Sequence, residues 1–184
     1  SPGRSQTSMF KKCFWSACLL LFAFGPLAVN SQESVRLGIP VTQEDLLDFD
    51  LIAPPDGSGF PAGSGTAQEG KQVYDINCAV CHGASGEGTS GNTVIVGGDM
   101  QSEGPPLRTV GSYWPYASTL FDFIRRAMPA TAPKSLTNEQ VYQVTAYVLF
   151  MNEIIEEDTQ INGDTIREIE MPNAKGFIDR SHIQ

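Results

Sequence analysis

Apolar residues recur at helical spacing in three stretches of the chain. The first begins at Thr66-Ala67-Gln68-Glu69, a sequence that fits a capping box, and carries Val73 and Ile76 up to Cys78. The second, Ser118 to Ala127, places Leu120, Phe121 and Ile124 on one face. The third follows another capping box, Thr137-Asn138-Glu139-Gln140, and sets Val141, Val144, Val148 and Leu149 on one side as far as Asn152. A shorter helix is expected over Gln43 to Asp50, with Leu46, Leu47 and Phe49 able to touch a core. Residues 53–65 are dense in Pro and Gly and exclude regular structure. They read as a flexible linker, or as an arm that packs through Leu51, Ile52 and Phe60. Residues 83–116 hold many glycines and prolines with few periodic apolar positions, so they read as loops. No repeat and no strand pattern is visible, and the expected class is all-α.

The chain's start changes the picture of its cysteines and charge. Residues 1–8 read as upstream sequence before a natural start at Met9. From there Lys11-Lys12, an apolar run from Cys13 to Phe24, and Gly25-Pro26 with a polar exit form a signal-peptide pattern, cleaved near Ser31. The run is short for a membrane span. Cleavage would remove Cys13 and Cys18, leaving Cys78 and Cys81 and no longer-range disulfide framework. It would also remove three of the 12 basic residues and no acid, leaving 9 basic against 21 acidic, a net charge of −12. Nucleic acid is thereby disfavoured as a partner, and a basic surface on another protein is a better match. Acidity that serves solubility alone fits equally well. The organisation expected is a signal at 1–31, an arm at 32–65, a domain at 66–152 and an extension at 153–184.

Cys78-Ala79-Val80-Cys81-His82 carries the chemistry. Two thiols separated by two residues reach both vinyl groups of a haem from one helical turn, and the next residue presents an imidazole to the iron. Zinc would need four ligands, and the only other histidine is His182, near the end of the chain. A redox disulfide lacks a thioredoxin-like pattern around it. One covalent haem c is therefore expected. An electron carrier also wants a second axial ligand, and methionine sulfur favours ferrous iron. The candidates are Met100 in a Gly-rich loop, Met128, Met151 on the last helix and Met171. Met128 precedes Pro129 in an extended segment between two helices and is the favoured ligand. Core packing of Met128, with five-coordinate iron or His182 as ligand, is the alternative.

The helix before the haem motif, Gly104-Pro105-Pro106-Leu107, Met128 and a last helix with Tyr147 together resemble class I cytochromes c. The resemblance implies that the first and last helices cross, and that the Pro105 carbonyl orients His82. The chain looks more narrowly like the cytochrome c subunits of bacterial sulfite and sulfane dehydrogenases. That likeness rests on Pro55-Asp56-Gly57-Ser58-Gly59, Thr109 to Tyr116 (TVGSYWPY), Arg125-Arg126-Ala127-Met128-Pro129, Ser135-Leu136-Thr137, Tyr147 to Asn152, Met171-Pro172-Asn173 and Gly176-Phe177. It implies a molybdenum-cofactor partner that oxidises a sulfur compound, and a downstream cytochrome or oxidase. Some relatives carry a second haem domain, whereas this sequence has one haem motif.

Around the haem, Tyr113, Trp114 and Tyr116 are candidates to line its edge or bond a propionate, or to pack without touching it. Arg108 is the favoured propionate partner, with Arg125 and Arg126 as alternatives or as a basic spot. The run from Glu153 to Glu170, with seven acids and one arginine, reads as a solvated tail or a docking strip. The functions in contention are a periplasmic subunit carrying single electrons from a dehydrogenase, a free shuttle to a terminal oxidase, and a haem enzyme with an open axial site.

Overall fold

The computed structural model describes residues 38–46, 49–178 and 180. The signal reading over Met9–Ser31, the first part of the arm and His182 lie outside them. A compact unit begins at Val41 and includes both the arm and the C-terminal extension. Its helices are α1 (Gln43–Leu46), α2 (Ala67–Asn77), α3 (Ala79–His82), α4 (Val110–Tyr113), α5 (Ala117–Ala127) and α6 (Asn138–Met151).

The capping boxes expected at Thr66 and Thr137 both form. The Thr66 hydroxyl accepts from the Glu69 amide at 3.3 Å and the Glu69 carboxylate accepts from the Thr66 amide at 2.9 Å. Gln140 and Thr137 repeat the exchange at 2.9 and 3.2 Å. Each pair satisfies amides that the first helical turn leaves open. The loop expected over 83–116 needs correction, because it contains α4. There Thr109 and Ser112 form a capping box in which serine takes the place of a carboxylate, with bonds of 3.0 and 3.1 Å.

Helix α6 is buried from Val141 to Leu149 with one break at the half-buried Gln143, so it forms the centre of the core rather than a surface helix. Its internal Thr145 meets its own polar need by donating to the Val141 carbonyl at 2.6 Å. Helix α2 crosses it. Gly70 faces the Gln143 backbone there, and Tyr74 meets Tyr147 with ring centroids 5.2 Å apart.

The Pro/Gly-rich arm packs on this core. Ala53 is buried, Phe60 lies 5.0 Å from Phe121, and the Tyr142 hydroxyl donates to the Pro61 carbonyl at 2.9 Å. Burial pushes that hydroxyl's pKa up to about 12. The arm ends in strand β1 (Ser64–Gly65), which pairs antiparallel with β2 (Ile161–Asn162). A solvated tail over Glu153–Glu170 is the second expectation to correct. Ile161, Ile166 and Met171 are fully buried anchors, and a 3-10 turn spans Ile166–Glu168. Their spacing of five residues matches neither helix nor strand, which hid them among the acids.

Asp122 on α5 accepts from the Ala53 amide at 2.9 Å and pairs with Arg126. Burial opposes its charge, yet those bonds and the nearby Arg125 hold its carboxyl below the usual aspartate value. A carboxyl depressed in the folded state adds stability above its unfolded pKa, and this is lost as pH falls through the folded value. Acidification below about pH 4 is therefore expected to loosen the arm at Ala53. The protection factor of the Ala53 amide should fall over that range, and Asp122→Asn should flatten the dependence.

Candidate haem site

Cys78, Cys81, His82 and Met128 all line one cleft of about 360 Å³. Cys78 caps the end of α2, and Cys81 and His82 follow within the single turn of α3. That turn is held from several sides. The Cys78 amide donates to the Tyr74 carbonyl at 2.8 Å, and the buried Tyr74 hydroxyl donates to the Gly83 carbonyl at 2.8 Å. The Thr89 hydroxyl donates to the Cys81 carbonyl at 2.9 Å, and the Gly88 amide to that of His82 at 2.6 Å. At Gly83 the backbone takes φ of +82°, a turn that other residues resist.

The His82 ring is oriented by the carbonyl of Thr93, 2.9 Å from Nδ1. A carbonyl only accepts, so Nδ1 carries the proton and Nε2 keeps its lone pair for a metal. Here the reading of Pro105 is corrected. Pro105 is exposed in the loop before α4, and the chain brings Thr93 to the imidazole first. The residue escaped sequence reasoning because its contribution is a backbone atom, which a residue of any type would supply.

Met128 sits on the other side of the sequence's chemistry, at the C-cap of α5, with its amide donating to the Ile124 carbonyl at 3.1 Å. Pro129, Ala130 and Leu136 continue the cleft wall. Of the other methionines, Met100 and Met151 line a separate hollow beside Asp99 and Glu153, and Met171 is in the core. Trp114 lines the cleft and meets Phe123 edge-to-face at 5.7 Å. Tyr113 does not. It packs against Phe177 at 5.2 Å and takes a bond on its carbonyl from Asn173 at 2.7 Å. Arg108 is exposed and stacks over the Tyr113 ring at 5.1 Å. Arg125 reaches arm carbonyls and Arg126 pairs with Asp122, so among the described residues no arginine lines the cleft. Tyr116 is exposed at the start of α5.

Tyr74 is a lining residue that the sequence reading missed. Its spacing of four before Cys78 was the available signal, since it puts both on one helical face. Cys78 and Cys81 are not joined to each other, and burial, followed by the nearby Cys81, pushes the Cys78 thiol up to about 11. Among the described residues no group of three or more His, Cys, Asp and Glu is placed to hold a metal ion. A haem suits the donor set: two thiols for its vinyls, a nitrogen and a sulfur for its iron, and mostly apolar walls. Among the described residues no helix is long and apolar enough to cross a membrane.

Residues 65–148, which span the motif and Met128, match the family described as cytochrome c oxidase, cbb3-type, subunit III. The thiosulfate dehydrogenase of Allochromatium vinosum is 28% identical over 122 residues, covering 64% of this chain. That stretch is 39% of the relative, so the chain spans about two fifths of its length. A chain in the crystal structure of the sulfane dehydrogenase SoxCD from Paracoccus pantotrophus is 34% identical with a TM-score of 0.75. The match covers 82% of this chain and 74% of that one.

Proposed function

This chain belongs to the cytochrome c family, and on that premise we propose that it is an exported carrier of single electrons with one covalently held haem c. Cys78 and Cys81 form the thioethers, and His82 and Met128 are the axial ligands. Its electrons come from a molybdenum-containing subunit that oxidises a sulfur compound, and they pass to a downstream cytochrome or oxidase. The observation that carries the reading is that Met128, alone of the four methionines weighed, lines the cleft shared by both thiols and the imidazole.

A haem held there would supply a ferric–ferrous couple. The chain's own residues do the rest. Thr93 fixes the imidazole ring, α3 spaces the thiols, and the walls from Trp114, Phe123 and Leu136 limit water. With His82 and Met128 both given to the iron, a substrate would find no open site there, which separates a carrier from a haem enzyme. The sulfur-oxidising partner is supported by the likeness to SoxCD and to the thiosulfate dehydrogenase. The signal-like start supports a periplasmic location.

Expression in cells that mature c-type cytochromes provides the test. One haem per chain is expected to stay with the polypeptide through a denaturing gel, and to leave it in Cys78→Ala/Cys81→Ala. A molybdenum sulfur dehydrogenase of this class should reduce the protein in the presence of its substrate. A colourless protein, or a native ferrous form that binds carbon monoxide readily, overturns the carrier reading.

A further inference from the structure

Helix α5 is held between two surfaces. Leu120, Phe123 and Ile124 line the cleft on one side. Phe121, Asp122 and Arg125 meet the arm on the other: Phe121 stacks on Phe60, and Asp122 accepts from the Ala53 amide. Arg125 Nη1 donates to the carbonyls of Leu51 at 3.0 Å and Gly59 at 3.1 Å. At 3.6 residues per turn the centres of these two faces lie about 150° apart around the axis. The last turn of α5 thus reads the arm on its back and ends in Met128 at its tip.

Two features make the arm a brace rather than a passive cover. The Arg125 bonds clasp two points of the arm that are eight residues apart in sequence, Leu51 and Gly59, so the guanidinium closes the Pro/Gly loop and fastens it to α5 together. Burial lowers the pKa of Arg125, and the guanidinium remains charged, so its bonds to neutral carbonyls are charge-assisted. A second attachment lies beyond Met128. Lys134, in the segment that continues the cleft wall, sits 5.7 Å from the Phe49 ring centroid. The arm therefore touches the chain on both sides of the methionine.

Resting on Met128 as the axial ligand, we infer that the arm positions the ligand's sulfur, with Arg125 and Asp122 as the positioning residues. Unfastening the arm frees the last turn of α5 to shift, and the sulfur leaves the iron while the helical core stays folded. The crossing of α2 and α6 has packing of its own, through Gly70, Tyr74 and Tyr147.

The experiment uses the haem-loaded full chain and compares Arg125→Ala, Arg125→Lys and Asp122→Ala with the unmodified protein. The far-red sulfur-to-iron band of the ferric form reports the ligand, far-ultraviolet dichroism reports the helices, and carbon monoxide binding to the ferrous form reports opening. In Arg125→Ala the band should fade at a lower temperature than the helices. Carbon monoxide should bind about a hundredfold faster, the population change expected at the low end for losing two charge-assisted hydrogen bonds. Asp122→Ala should act in the same direction, and Arg125→Lys should recover part of the difference. Band and helices lost together in both alanine variants, with unchanged carbon monoxide kinetics, overturn the inference. Met128→Ala keeps the two ideas apart. A band that survives in Met128→Ala defeats the ligand assignment itself, whereas a band that vanishes there and stays firm in Arg125→Ala defeats only the brace.

Discussion

Gly70→Ala is expected to destabilise the protein by about 3 kcal/mol, at the upper end of what overpacking costs. Intrinsic propensity argues the other way, since alanine favours a helix interior over glycine by about 1 kcal/mol. The contact decides the sign. A Cβ on Gly70 would stand 1.9 Å from the Gln143 carbonyl oxygen and 2.9 Å from the Tyr147 Cβ. The oxygen belongs to the backbone of α6, so it cannot swing aside as a long side chain would, and the two helices must separate. Separation also parts Tyr74 from Tyr147, and Tyr74 holds Gly83 at the exit of the haem turn. The variant should therefore lose denaturant resistance and bind its haem less uniformly. Urea unfolding followed by dichroism and by the haem absorption checks both effects, and an unchanged midpoint would mean that the helices tolerate the added methyl.

Met128→Ala carries the other large effect. The expected result is all-or-none at the iron: the far-red sulfur band disappears, the ferric form moves from low toward high spin, and ferrous protein binds carbon monoxide. The reduction potential should fall, because thioether sulfur favours the ferrous state. Stability should drop by no more than about 2 kcal/mol, below the usual cost of truncating a core methionine, since Met128 is only half-buried. Spectroscopy of the purified variant separates these outcomes. Low-spin ferric iron with the band intact would send the search to another methionine, since the band reports sulfur, whereas low-spin iron without the band would point to the remaining imidazole, His182.

The long elements were legible because their signals are local. A threonine three residues before a glutamate or glutamine marked the starts of α2 and α6, and the spacing of Leu120, Phe121 and Ile124 marked α5. Helix α4 escaped because Ser112 caps in place of a longer acid or amide, a pairing that pattern reading gives little weight. The thiols and the imidazole could be named from five consecutive residues. The orienting carbonyl could not, since Pro105 and Thr93 differ only in where the loop carries them. Tyr113 and Arg108 were placed near the haem by their neighbours in sequence. The structure turns Tyr113 toward the C-terminal segment, where Phe177 and Asn173 meet it from sixty or more residues away in the chain, and Arg108 stacks on its ring.

The pairing of Ser64 with Asn162 has a consequence for the order in which the molecule is made. Synthesis proceeds from the amino end, so β1, the haem motif and the α2–α6 crossing all emerge before the residues that close the ladder. Among the described residues Ile161, Ile166 and Met171 are the last buried side chains to appear, and the Ile166–Glu168 turn packs on α5. A nascent chain that has reached only Asn152 has its helices but leaves their outer side wet. In a polypeptide threaded through a narrow pore, closure must wait for the final stretch to cross. A stop codon or a bulky fusion placed a little before Met171 would then cost more than the loss of a tail.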